Sequence, residues 1–265
     1  MARELVPDAL WERLAPLLPV PKKKKKPGRP RADDRVALEA IIFVLRTGIP
    51  WEMLPQKQFG LSGMTAWRRL EQWTQAGVFE KLQRTLLDEL GEKGLVDFSR
   101  TSIDSSTVRA LQRGVHTGKN PTDRAKAGSK HHLLVDRKGL PLAESLTGAN
   151  VHDIHELFPL LDAIPDVKQP RGPPRHRPAK LHADKAYSSR RNRQELRRRG
   201  IVPRIARPGI ESKQRLGRHR WVVERTNDWK NQKRRLRVRD ERRDDIYFSL
   251  LVLGCCLMLF RRLQT

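Results

Sequence analysis

The sequence predicts an α/β protein: a mixed sheet flanked by helices, with a small all-α unit in front. Apolar residues repeat at helical spacing as far as about residue 97. From about residue 98, short apolar runs alternate with helical stretches. The length, 265 residues, allows one large domain or two small ones and buries a substantial core.

The front unit comes first. Residues 3–18 predict a short helix, with Leu10, Leu14, Leu17 and Leu18 at helical spacing. Residues 19–31 combine prolines with a lysine run at 22–26, which cannot pack a core and reads as a flexible basic arm. Its alternatives are phosphate contact, through residues such as Arg29 and Arg31, or a solvated linker. Asp33 or Asp34 can cap a second helix bearing Leu38, Ile41, Ile42 and Leu45, closed by Gly48. A third helix is predicted over 62–76, with Trp67, Leu70 and Thr74 inward and Arg68, Arg69, Gln72 and Gln75 outward. A fourth follows over 79–90. Short helices presenting Arg and Gln outward fit a helix-turn-helix DNA reader, although small helical domains with a polar face are common.

The second unit, 98–265, reads as strands at 102–104, 131–136 and 141–147, and a helix at 153–164. A Pro- and Arg-rich loop, a strand at 179–183, a helix at 188–199 and a strand at 201–206 come next. Long helices at 217–236 and 244–263 end the chain. The order β-β-β-α-β-α-β-α is that of a ribonuclease-H-like fold, in which strand ends carry the ligands.

Lys and Arg outnumber Asp and Glu by 55 to 30, a net charge of +25. Such a surplus repels itself and calls for a polyanionic partner, nucleic acid before an anionic membrane surface. The start shows no signal-peptide pattern. The most apolar stretch, 247–260, is short of the ~20 residues of a membrane span and reads as a buried helix. Cys255 and Cys256 lie inside it and read as packing residues. These features predict a cytoplasmic, nucleoid-associated protein.

Three acids stand out by position: Asp104 at the end of the first strand, Asp184 at the end of the fourth, Glu224 in the helix after the fifth. Neighbouring first and fourth strands would bring the aspartates together, with Glu224 delivered from the side. Clustered carboxylates repel unless a cation joins them. Mg²⁺, with Mn²⁺ as a substitute, takes such oxygen ligands and supports phosphodiester cleavage and strand transfer. Each acid alone could be a turn cap or an ion-pair partner instead. Helical geometry puts Arg220, Glu224 and Asn231 on one face, with Val222, Trp229 and Leu236 roughly opposite. Residues 218–243 hold eleven Lys and Arg against four acids, a run suited to phosphates. Zinc is disfavoured, because His152 and His155 lack zincin spacing and His131 and His132 alternate on a strand.

These residues resemble the DDE transposases of bacterial insertion sequences, in the insertion-sequence-five branch of the insertion-sequence-four superfamily. The likeness runs through Gly28–Arg31, Leu45–Trp51, Ile103–Val108, Gly139–Leu142, Asn150–Asp153, Ala183–Tyr187, Val222–Thr226 and Arg234–Leu236. The resemblance implies catalytic, metal-binding roles for Asp104, Asp184 and Glu224. It implies cutting at terminal inverted repeats, joining to target DNA, and a homodimer on double-stranded DNA. Expected DNA contacts are Arg29, Arg31, Arg68, Arg69, Gln72, Lys130, Lys185, Arg220, Lys230, Asn231 and Lys233. The sequence departs from the superfamily's pattern around the Glu: Gly217 replaces its Tyr and Asn231 its Lys, with Lys230 and Lys233 nearby as substitutes. The alternatives are a non-enzymatic DNA-binding repressor and a ribonuclease-H-like nuclease that cuts without joining.

Overall fold

A computed structural model describes residues 4–21, 30–207 and 213–265. The front helices are α1 (Asp8–Leu14), α2 (Asp34–Thr47), α3 (Gln56–Phe59), α4 (Gly63–Gln75) and α5 (Val78–Glu92). Capping sets their limits. The Asp33 side chain accepts from the Val36 amide at 3.0 Å, and Gly48 closes α2 at φ +74°. Gly63 opens α4 where any Cβ would stand 1.7 Å from the Trp51 carbonyl oxygen, so only glycine lets the chain pass.

The strands are β1 (Thr101–Ala110), β2 (Gly118–Lys119), β3 (Ala127–Asp136), β4 (Pro141–Gly148), β5 (Lys180–Ala183), β6 (Val202–Ile205) and β7 (Val238–Arg239). Helix α6 (Leu157–Asp162) follows β4, and α7 (Arg190–Arg198) joins β5 to β6. Helices α8 (Lys213–Asn231) and α9 (Asp244–Leu263) end the chain. β1 is the axis of the sheet. One edge pairs antiparallel with β3, from Thr101 opposite Asp136 to Arg109 opposite Gly128, and β3 carries β4 on its far side. The other edge pairs in parallel with β5, and β5 with β6. The order β4-β3-β1-β5-β6 is the mixed, ribonuclease-H-like sheet that the sequence predicts.

Helix α9 is long and apolar enough to cross a membrane, yet its residues from Ile246 to Phe260 are largely buried, packed against α5 and β4. The expectation of a core helix holds, with both cysteines free and buried. One continuous apolar core joins Leu10, Leu38, Trp73 and Leu86 of the front helices to Ile103, Leu134 and Leu181 of the sheet and Leu250 of α9. Burial of this kind is the main stabilising term. The front helices therefore share their core with the sheet and α9.

β1 is much longer than its expected 102–104. Ser105, Ser106 and Thr107 hide it in the sequence, but β3 pairs with all of them.

Candidate active site

Asp104 lies midway along β1, opposite Leu133 of β3. On the other edge Thr101 stands beside Leu181 and Ser102 beside His182. Carrying that register on by two residues sets Asp184 alongside Asp104. β5 stops at Ala183 while β1 runs on, so the two aspartates stand where the parallel part of the sheet opens. Asp184 caps the turn after β5, accepting from the Ala186 amide at 2.9 Å.

Helix α8 lies across β1 and β3 and is pinned at defined points. Thr226 donates to the Gly139 carbonyl at 2.8 Å. Lys230 donates to Ser106 Oγ at 2.5 Å and to His131 Nδ1 at 2.9 Å. Val222 and Val223 pack on Leu133 and Val135. One turn earlier, Arg220 lies 3.9 Å from Asp104 and 4.0 Å from Glu224. The Glu224 side chain is more than half exposed.

Burial pushes the Asp104 carboxyl up to about 6, against the pull of Arg220, and the negative charges of Asp184 and Glu224 add to the rise. Tyr187 is buried, and its hydroxyl, with no hydrogen-bond partner, feels Asp153, Asp104 and Asp184 and is pushed well above its ordinary value.

The donor set, three carboxylates from the middle of β1, the end of β5 and helix α8, has the hard-oxygen chemistry that Mg²⁺ or Mn²⁺ takes. Among the described residues, no three of His, Cys, Asp and Glu are grouped closely enough to hold a metal. Like charges repel without a bridging cation, and here the guanidinium of Arg220 lies between Asp104 and Glu224 in that role.

The expected DNA contacts divide by position. Arg29 lies outside the described residues, as does the lysine run. Arg31 pairs with Asp34 at 3.0 Å. Arg68, Gln72 and Gln75 are exposed on α4, and Lys185 is exposed beside Asp184. Arg69 is corrected: it is buried, held by Asp34 at 2.7 Å and by Gln72 at 2.8 Å, because the arm's return into α2 covers that side of α4. Lys130 pairs with Asp153 at 2.8 Å and with the Val151 carbonyl.

Lys230 is also corrected. It is fully buried under α8 and faces the sheet. Lys233 donates back to the Trp229 carbonyl and lies against Gly254 of α9, where burial lowers it to about 8. Neither replaces a surface lysine; Asn231, at the superfamily's lysine position, is half-buried.

Within the basic run, Arg235 and Arg239 are buried as well. Trp229 faces outward with Trp221, and Arg225 stacks between their rings at 4.5 and 4.7 Å. It thus leaves the stripe expected with Val222 and Leu236, both of which are buried.

Comparison with known proteins adds independent findings. Residues 97–259 match the family described as "Transposase DDE domain", and residues 6–83 the family "Putative transposase of IS4/5 family (DUF4096)". The "Putative transposase for insertion sequence element IS402" of Burkholderia cepacia is 53% identical over 148 residues, 56% of this chain and 70% of that protein. The "Insertion element IS402 uncharacterized 16.2 kDa protein" of the same organism is 44% identical over 123 residues, 46% of this chain and 84% of that protein. Among solved structures, the Mos1 strand transfer complex aligns over 92% of this chain and 79% of that one, at 10% identity and a TM-score of 0.33, an overlap too loose to argue from.

Proposed function

Because the chain belongs to the transposase DDE domain family, we propose that it binds the terminal inverted repeats of its insertion sequence, cuts the DNA there and joins the ends to target DNA. The observation that carries this reading is the β1–β5 register, which sets Asp184 beside Asp104 where the sheet opens, with Glu224 and Arg220 reaching over from α8. A divalent ion, Mg²⁺ or Mn²⁺, taking the place of the Arg220 guanidinium would draw Asp104, Asp184 and Glu224 together and supply the charge that activates an attacking oxygen and steadies a leaving one. The protein's own residues do the rest. The two strands fix the aspartates on a rigid frame, and the contacts of Thr226 and Lys230 set the height of α8 and so of Glu224. Arg220, whose Nε is buried without a partner, holds the acids in check and offers a guanidinium to a phosphate when a metal takes its place. Burial raises the metal-free Asp104 carboxyl to about 6, so a divalent ion competes with its proton there and should bind more tightly as pH rises through that region.

The test is to measure end cleavage and gel shift on the same DNA carrying the repeats that bracket the gene. Asp184→Asn keeps the size but removes a metal-binding charge, so cleavage should collapse by more than about a hundredfold while DNA binding persists. Asp104→Asn and Glu224→Gln should behave alike. Arg220→Ala should weaken binding as well as chemistry. Cleavage that survives Asp184→Asn would refute the assignment. A wild type that binds without cutting in Mg²⁺ or Mn²⁺ would point to a repressor.

A further inference from the structure

Between β1 and β3 the chain leaves the sheet in a hairpin, residues 111–126, which contains β2. All the non-glycine residues of positive φ among the described residues fall in this one segment: Arg113 at 54°, His116 at 53°, Arg124 at 49° and Ala125 at 56°. Left-handed conformations cost a non-glycine residue on the order of 1 kcal/mol or more, and such strain gathers where a shape is required.

The shape is held from below. Arg239, fully buried, donates to Ser129 Oγ at 2.9 Å and to the His116 carbonyl at 3.2 Å, and Ser129 Oγ donates to the same carbonyl at 2.7 Å. Gly114 passes so close to Arg242 that a Cβ would stand 2.0 Å from its carbonyl oxygen.

What this rigid base presents is unusual for a solvated turn. Leu111 and Val115 are 62% and 61% exposed. Around them, residues 109–126 carry five Arg and Lys against the single acid Asp123. Arg109 already holds that acid at 2.6 Å. Arg113, Lys119, Arg124 and Lys126 make no ion pair among the described residues. Apolar side chains standing among unpaired cations on a fixed backbone match a base step that is pried open between two phosphate backbones. A smooth phosphate track would need the cations alone.

We infer that the 111–126 hairpin is a DNA wedge: Arg113, Arg124 and Lys126 hold backbone phosphates while Leu111 and Val115 enter between bases and unstack them. This rests on the DNA reading above. β1 rises ~3.3 Å per residue, so the hairpin begins ~23 Å beyond Asp104, or about seven base pairs from the cut for DNA that runs along β1.

The experiment uses the full chain and linear duplexes carrying the gene's flanking repeats, with 2-aminopurine moved through the duplex one position at a time. Its fluorescence rises when a base is unstacked. Wild type should brighten a narrow set of positions offset from the cut. Leu111→Ser with Val115→Ser, both exposed, should abolish the brightening while changing affinity less than about threefold, since phosphates carry most of the affinity. Arg113→Ala, Arg124→Ala and Lys126→Ala together should lower the slope of log K against log salt by roughly two to three. Thermal melts matching wild type show that these surface variants fold. Brightening that survives the serine pair, or none in wild type bound to DNA, overturns the wedge alone. Absence of any DNA binding at low salt overturns the DNA reading and the wedge with it.

Discussion

Among the described residues, several arginines each meet two carboxylates, and two of these clusters, around Arg235 and Arg220, are built to opposite ends. Arg235 sits beneath the front helices with Glu241 at 2.8 Å and Asp240 at 3.1 Å, and it also donates to the Ile49 carbonyl at 3.1 Å. Arg235 and Glu241 are almost wholly buried. Arg220 reaches Asp104 and Glu224 only at 3.9 and 4.0 Å, keeps an unpartnered Nε, and shares its acids with solvent. The first cluster makes short, buried ion pairs that tie the chain to the front helices, although Glu241 Oε2 has no hydrogen-bond partner. The second makes only long contacts and has Glu224 open to solvent, and loosely held charge at the open end of a sheet is what a ligand uses. Residue type alone does not separate the two; distance and burial do.

The sharpest way to break this contrast is to remove each arginine in turn. Arg235→Ala leaves Glu241 buried and unpaired, and should cost about 3–5 kcal/mol in denaturant unfolding. Arg220→Ala breaks only long, partly solvated contacts and should cost less than about 1 kcal/mol. Equal losses would mean that the Arg220 cluster is structural too.

The next test lies within the Asp104 cluster and uses pH. Asp104 is raised from 3.8 to about 6 in the folded protein. The folded state therefore holds its proton more tightly than the unfolded one. The resulting stability is present below about pH 4 and is lost as pH rises through about 6. Burial likewise raises Asp136 to about 6 and Glu144 to about 7, which gives the whole protein the same trend. Asp104→Asn isolates one contribution. In metal-free buffer the variant should match wild type at pH 4 and exceed it at pH 7 by on the order of 1–3 kcal/mol. A constant difference across that range would remove burial as the cause of the shift. Adding Mg²⁺ should favour wild type and not the variant.

The contrast also explains what the sequence could and could not reveal. Apolar spacing exposed α2, the order of strands and helices, and α9, because burial selects those residues directly. The aspartates were visible because each closes a short stretch that reads as a strand, 102–104 and 179–183. Hidden from view were features set by neighbours rather than by pattern. The second half of β1 is polar and is a strand only because β3 pairs with it. Arg69 and Arg235 look like surface cations until Asp34 and Glu241 fold over them. The hairpin 111–126 gives no periodic signal, since its form comes from Arg239 and left-handed residues. The change of period near residue 97 is real as a change of architecture. Yet α5 packs on α9 across it, with Phe79 accepting from Cys256 Sγ at 3.4 Å, so a fragment ending at 97 would lose its cover.

A third buried cation carries the smallest expected effect and tests the contrast where it is weakest. Lys230 is as buried as Arg235 but has no carboxylate; its partners are Ser106 and the neutral ring of His131. Burial keeps His131 well below its ordinary value, so Nδ1 accepts from Lys230 while Nε2–H donates to the Tyr247 hydroxyl at 3.0 Å. Lys230 itself is lowered from 10.5 to about 8. A lysine whose folded value lies below its unfolded one favours folding fully only above the unfolded value, and loses that contribution as pH falls through the folded one. Lys230→Met has two consequences. It strips His131 and Ser106 of a donor at every pH, a loss of about 1–3 kcal/mol. Below pH 8 it also removes a buried charge, which offsets much of that loss. The variant should therefore lie close to wild type at pH 7 and fall progressively behind between pH 8 and 10.5. Denaturant midpoints taken for both proteins at each pH cancel the titrations they share. Midpoints that keep a fixed separation from pH 7 to 10.5 would show that Lys230 keeps its charge on folding, and so that His131 and Ser106 satisfy it as fully as Glu241 satisfies Arg235.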